Sequence, residues 1–336
     1  MKSKTAIVVT SISGPNRSLK SIARESLDRG HHFMVIGDVS SPSDFQIQGC
    51  DFYSLEQQKL TGLKFAECCP TRHYARKNVG YLLAMRNGAD IIIDMDDDCI
   101  PSEAFWNPLQ RIRCIATVEE AGWVNVYQYF SEGNIWPRGF PLNRVRTSPP
   151  PIDSLPVGER DCVIQQGLVN KNPDVDAIYR LLLPLPYDFM IENRVALGKG
   201  TWCPFNSQNT AWWSDAFPLL YLPAYCSFRM SDIWRSFVAQ RIAWENRWFV
   251  SFHEPTVWQD RNGHDLMEDF ANEIQGYLHN ENLCQTLEKL PIKGGTQNLT
   301  ADLRLCYEAL IEKGWLKEAE LTLLEAWTDD LKSVRP

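Results

Sequence analysis

The chain has 336 residues, of which 44% are hydrophobic and 23% charged, and its formal net charge is −8. That length suffices for a large core in one or two domains. The acidic balance, with no basic recognition helix, argues against a nucleic-acid surface, and no apolar run is long enough to span a bilayer.

Residues 5–10 read as a buried strand, with no signal-peptide hydrophobic segment before it. A cytoplasmic protein is therefore expected, with peripheral association at the inner face of a membrane left open. Thr10, Ser11 and Asn16 belong to the loop at the carboxyl end of this strand, which in a doubly wound sheet often touches a nucleotide. With a single glycine, Gly14, it is neither a Rossmann nor a Walker loop, and a plain connection is the competing reading. Leu19, Ile22, Ala23, Ser26 and Leu27 follow one helix face, and Gly30 stops the helix. Residues 33–36 form a second strand. It ends near Asp38, which can accept hydrogen bonds from a base or ribose or serve as a turn residue. A third strand is expected at 51–55.

A helix is expected at 74–86, opening with Arg72, His73, Arg76 and Lys77. Cations at a helix N-terminus oppose the macrodipole but suit an anionic ligand. A short aliphatic run then ends in four carboxylates within five residues, Asp94, Asp96, Asp97 and Asp98. Like charges that crowded repel, and burying one unpaired is expensive. A divalent cation relieves the conflict, since hard cations take carboxylate oxygens and leave positions for phosphate. An acidic turn facing water is the alternative, but the strand-end position is where ligand crevices of open α/β sheets lie.

Another strand is expected at 123–128, and the proline-rich stretch 136–186 reads as a long excursion with little regular structure. Within it, Arg138 is followed by a glycine. Lys199 is flanked by two, so both can approach a diphosphate. Trp136 offers a stacking ring. Asn206, Gln208 and Asn209 fall in a dense run of amides and hydroxyls beside aromatics, suited to a polyhydroxylated substrate. Ser231 can cap a helix running to about 246. Asp232 beside it is a general base or a complement to the helix dipole. A late strand is expected at 248–252. His264 can complete a metal shell with its imidazole, in competition with His253 and with a plain solvated role. Two more helices follow, at 301–313 and 316–327. Ten scattered cysteines without a C-x-x-C pair read as reduced thiols.

Seven segments in order resemble the STELLO glycosyltransferases and, more distantly, the plant UDP-arabinopyranose mutases. They are Tyr74-Ala-Arg-Lys-Asn-Val-Gly-Tyr81, Asp94-Met-Asp-Asp-Asp98, Trp136-Pro-Arg-Gly139, Gly167-Leu-Val-Asn-Lys-Asn-Pro-Asp-Val-Asp176, Leu197-Gly-Lys-Gly-Thr201, Pro204-Phe-Asn-Ser-Gln-Asn-Thr210 and Asp232-Ile-Trp-Arg235. The resemblance implies an α/β fold of GT-A type, a mixed, mainly parallel sheet flanked by helices. Residues 1–279 would form the transferase domain, with a nucleotide half to about 130 and an acceptor half from 131. Residues 280–336 would form a helical appendage. It implies a UDP-linked sugar donor, a glycan or glycolipid acceptor and Mn2+ or Mg2+. Under it Asp96 and Asp98 map to the aspartate motif that reaches ribose and metal. From the residues themselves, His264 is the expected further metal ligand, and Asp97, Lys77, Arg138 and Lys199 are expected to line the donor. Arg76 is a diphosphate ligand or a self-glycosylation site.

No membrane anchor like that of the plant proteins is expected, and a bacterial polysaccharide enzyme is therefore expected rather than a Golgi one. The rival readings are a UDP-sugar mutase or self-glycosylating protein, and a non-catalytic scaffold in polysaccharide assembly. Oligomeric state is not legible.

Overall fold

The computed structural model describes residues 3–260, 263 and 265–334. Strand and helix alternate through the first part. β1 (Thr5–Thr10) is almost wholly buried. α1 (Arg17–Arg29) starts at Asn16, whose side chain accepts the Leu19 amide, and stops at Gly30 in the left-handed region at φ 71°. β2 (His32–Ile36) and β3 (Asp51–Tyr53) follow in parallel. Short α2 (Leu55–Leu60) and α3 (Lys64–Cys68) lead to a 3-10 turn at Tyr74–Arg76 and then α4 (Lys77–Arg86). Gly80 lets α4 lie close on the sheet, since a Cβ there would stand 2.5 Å from Val8 and 2.8 Å from Ile36. β4 (Ile91–Met95) is parallel to β1.

The middle of the chain supplies β5 (Cys99–Pro101), β6 (Ile112–Val118), β7 (Gly122–Trp123), β8 (Val157–Asp161) and β9 (Ile164–Asn170). Next come α5 (Ala177–Leu182), β10 (Arg194–Leu197), β11 (Thr201–Trp202), β12 (Asn209–Trp213), α6 (Ser231–Glu245) and β13 (Val250–Gln259). Among the described residues the order is β3-β2-β1-β4-β12-β9-β13-β10-β6-β8 in one 11-stranded sheet, with β5 on β13, and β7 pairs β11 separately. This is the mixed, mainly parallel sheet flanked by helices that was expected. β12 runs antiparallel to β4 and β9, and β9 runs parallel to β13. The carboxyl ends of β1, β2, β4, β9 and β13 and the amino end of β12 therefore share one edge.

Several expectations are corrected. Of residues 123–128 only Trp123 is in a strand, and Val126–Tyr129 is a 3-10 turn. The stretch 136–186 contains β8, α5 and the central strand β9. Two glutamines and a glycine break the apolar pattern of β9, yet they are satisfied inside: Gln166 Oε1 accepts the Asn206 amide and the Thr210 hydroxyl, each at 2.9 Å. β13 continues to Gln259 because Pro255 falls in a register shift between His253 and Val257, where a missing N–H breaks no ladder bond. Ser231 does not cap α6. Its hydroxyl donates to the Pro223 carbonyl at 2.6 Å, and Met230 holds the cap position without a side-chain bond.

α7 (Leu266–Glu288), α8 (Leu299–Glu312) and α9 (Glu320–Val334) close the chain. The expected boundary at 279/280 falls inside α7, and the last helices are no appendage. Trp327 is fully buried in the common core and its indole donates to the Pro218 carbonyl at 3.1 Å. Asp330 accepts the first amides of α3, Lys64 at 3.0 Å and Phe65 at 2.8 Å. Glu320 accepts the Ala224 and Tyr225 amides at 3.0 and 2.7 Å. Trp327→Ala is therefore expected to destabilise the whole domain by about 3–5 kcal/mol in urea unfolding followed through both halves. A loss confined to the C-terminal helices would restore the appendage reading. Among the described residues no helix is long and apolar enough to cross a membrane, and all ten cysteines are free.

Candidate active site

A cavity of about 530 Å³ opens on the shared strand edge. β1 brings Thr10 and Ser11 to it, β2 brings Asp38, and the turn after β4 brings Asp96, Asp97 and Asp98. Antiparallel pairing of β12 on β4 sets Asn209 opposite Met95, so Gln208 stands next to the acidic turn. Pairing of β13 on β5 sets Gln259 opposite Cys99, which places it beside Asp98. The far wall is Arg138, Asp174, Arg180, Arg229 and Asp232, with Phe228 half exposed at the mouth.

The four carboxylates do not act as one group. Asp94 is fully buried behind the turn and pairs with Lys77 Nζ at 2.6 Å and Arg235 Nη1 at 2.8 Å. Asp96 accepts the Tyr74 hydroxyl at 2.7 Å. Burial, partly offset by Lys77 and reinforced by Asp98, raises its carboxyl from 3.8 to about 7. Asp97 turns back to β1 and accepts the Ser11 hydroxyl at 2.5 Å, while Asn16 donates to the Asp97 carbonyl at 2.8 Å. Asp98 accepts the Gln259 amide at 3.0 and 3.1 Å. Two cavity amide oxygens, Gln208 Oε1 and Gln259 Oε1, are buried without a partner, an arrangement that favours a ligand with hydroxyl donors.

A pH dependence follows from Asp96. Below about 7 the carboxyl holds a proton that a cation must displace. Metal affinity should fall about tenfold per pH unit below that point, measured by Mn2+ titration between pH 5 and 8. A raised carboxyl also means that Asp96 by itself costs the metal-free fold nothing below 3.8 and destabilises it progressively as pH rises through about 7. Added cation should restore the lost stability.

Asp38 accepts the Val39 and His73 amides at 2.7 and 2.9 Å and stays at the cavity wall. Arg72 lines the same wall, exposed and at φ 56°. A non-glycine residue held in that region costs about 1–3 kcal/mol and marks functional sites. On the far wall Arg138 is bidentate to Asp174 at 2.8 and 2.9 Å and to Asp232 at 3.0 and 2.9 Å. Arg229 donates to Glu273 at 2.8 Å. Although burial pushes Asp174 upward, Arg138 holds its carboxyl below the usual range.

Other expected residues lie elsewhere. Arg76 is 2% exposed and its guanidinium is engaged with Gln58 Oε1 and the Cys69 and Ala66 carbonyls at 2.8, 2.9 and 3.2 Å, so it is not offered to a diphosphate or a sugar. Lys77 lies beneath the turn rather than in the cavity. Lys199 is exposed beside Glu245 at 3.5 Å, away from the site. Trp136 is buried on Tyr179 and donates to Asp176 at 2.6 Å. Asn206 supports Gln208 by accepting its amide at 3.0 Å, and Asn209 binds Thr256 at 2.9 Å on another face. His264 lies outside the described residues, and among those described no group of three metal-ligating side chains stands ready. Asp174, Gln259 and Tyr74 were missed. Asp174 and Tyr74 stand in two of the quoted segments, whereas only the length of β13 could have pointed to Gln259.

The family model described as STELLO glycosyltransferases matches residues 229–335. Probable glycosyltransferases STELLO2 and STELLO1 of Arabidopsis thaliana are 28% and 29% identical over 98% of this chain. The chain spans 44% of the length of each. Two solved structures, a mycobacterial protein and the glucosyl-3-phosphoglycerate synthase of M. tuberculosis, share 11% identity with it at TM-scores of 0.42 and 0.41. Each alignment covers 83% of this chain, and 74% and 80% of the respective neighbour. Across 98% of its length, then, the chain is similar to the STELLO glycosyltransferases, as its seven segments imply.

Proposed function

We propose that the protein is a metal-dependent glycosyltransferase that moves a sugar from a nucleotide-sugar, of the UDP type, to a glycan acceptor. The observation that carries this reading is the pair of carboxylates, Asp96 and Asp98, opening at the end of β4 into a cavity that also holds two buried amide oxygens without a partner, Gln208 Oε1 and Gln259 Oε1. Two carboxylates suit Mg2+ or Mn2+, which keep their remaining positions for phosphate oxygens and water. The cation, when bound, would stabilise the negative charge that develops on the departing nucleoside diphosphate.

The chain's own residues do the rest. Asp38 and the β1 loop face the nucleoside, Arg72 faces the diphosphate, and Phe228 offers a stacking face at the mouth. Gln208 and Gln259 accept sugar hydroxyls. Arg138 is shared by Asp174 and Asp232, so one guanidinium serves two carboxylates and the group keeps a net negative charge. Asp232 is thereby oriented to take the acceptor hydroxyl proton if the reaction inverts. Self-glycosylation at Arg76 is disfavoured by its burial.

The test is a panel of nucleotide-sugars scored by nucleoside diphosphate release with and without Mn2+. Asp232→Asn should lower turnover by about 10²–10⁴-fold and leave UDP affinity unchanged. Release that ignores the metal, or no release from any donor, would refute the reading.

A further inference from the structure

A second cavity, of about 220 Å³, shares no lining residue with the first. Side chains alternate along a strand. Asp94 faces α4 and α6, so Ile93 points to the opposite face, where Ala211 is its register partner and Gln165 the next one across. Arg194 and His253 pair on that same face. The segment 104–110 closes over them.

This interior is polar, and it is incomplete. Gln165 is 1% exposed; its amide donates to the Gln110 and Cys162 carbonyls at 2.7 and 3.1 Å, but its Oε1 has no partner. Arg113 lines the cavity half-buried, with no hydrogen bond or ion pair among the described residues. Burial and the nearby Arg194 both disfavour its charge. Arg194 is paired to Glu254 at 2.7 Å, so two guanidinium groups face one carboxylate. Burial keeps His253 neutral. Gly167 lets two lining side chains pack close, since a Cβ there would lie 2.2 Å from Asn209 Nδ2 and 2.7 Å from His253 Cε1.

A buried carbonyl without a donor, and a half-buried guanidinium that shares its one nearby carboxylate, Glu254, with Arg194, each cost free energy that a ligand would recover. The excess positive charge selects an anion. The orphan amide oxygen selects a hydroxyl donor. The volume lies below the roughly 300–1,000 Å³ of pockets for drug-sized molecules. We propose that this cavity binds a phosphorylated monosaccharide, with its phosphate on Arg113 and a sugar hydroxyl on Gln165 Oε1. The binding is independent of the donor site.

Calorimetry with glucose 1-phosphate, inorganic phosphate and glucose, in saturating UDP and Mn2+, tests this. Glucose 1-phosphate should bind with a Kd below about 1 mM. Arg113→Ala should weaken it about 10- to 100-fold and Gln165→Leu about tenfold, as loss of a charge-assisted and of a neutral buried hydrogen bond implies. Both variants should keep the UDP affinity of the parent, and Arg113→Ala should keep its melting temperature, whereas Gln165→Leu also loses the bonds to the Gln110 and Cys162 carbonyls and should melt somewhat lower. The proposal fails if no saturable binding occurs, if UDP competes, if neither substitution matters, or if phosphate or glucose alone binds as tightly. Failure of UDP itself to bind would count against the transferase reading and leave this titration readable.

Discussion

Asp98→Ala is expected to abolish Mn2+-dependent UDP binding, weakening it by more than about 100-fold. Removing a group that merely orients a metal ligand already costs about 10–100-fold, and Asp98 is proposed as a ligand itself. The fold should survive, because the backbone bond from the Asp260 amide to the Asp98 carbonyl, 3.0 Å, does not depend on the side chain. Asp98→Asn separates charge from shape. It can still bond the Gln259 side chain, yet it should lose the metal-dependent affinity too. Calorimetry with and without Mn2+ reads both variants, and unchanged UDP affinity in either removes the metal assignment.

A stability effect as large as that of Trp327→Ala is expected at Lys77. Its ammonium is 0% exposed and meets Asp94 at 2.6 Å, the Met95 carbonyl at 2.5 Å, the Tyr74 hydroxyl at 3.0 Å and Asp96 at 3.4 Å. An intact buried pair adds little net stability, because desolvation offsets attraction. Breaking one is different, since Lys77→Met strands a carboxylate in the interior that has lost one of its two paired cations and keeps Arg235. Urea unfolding should show a loss of about 3–5 kcal/mol. Adding Asp94→Asn should recover roughly 0.5–3 kcal/mol. Additive losses in the double variant would mean that the two side chains do not act as a pair.

Lys77 also shows why the site was only partly legible. In the sequence the cations opening α4 suit an anionic ligand, but in the fold two of them, Arg76 and Lys77, serve internal anions and carbonyls instead. Sequence distance hides this: Asp94 is 17 positions from Lys77 and 141 from Arg235, and only the stacking of α4 and α6 on one sheet face joins them. The acidic turn itself was legible because an aliphatic run and a carboxylate cluster adjoin in the chain. The nucleotide half was legible for the same reason, being built from short strand-helix-strand repeats with clear stops such as Gly30.

The second half was not. β9 and β12 carry glutamines, asparagine and glycine where apolar alternation is expected, and those polar groups are satisfied only by neighbours far along the chain. β13 passes through a proline that a bulge absorbs. Of the amides read as sugar contacts, Gln208 reaches the cavity while Asn206 supports it, a division set by the register of β12 on β4.

Diffraction from crystals soaked in Mn2+ and UDP, with anomalous data at the manganese edge, tests the central claim most directly. The account predicts one strong peak within coordination distance, about 2.0–2.6 Å, of Asp96 or Asp98 oxygens and bridged to the pyrophosphate of UDP. A manganese or a pyrophosphate bound elsewhere, with those two carboxylates left facing solvent, would contradict it.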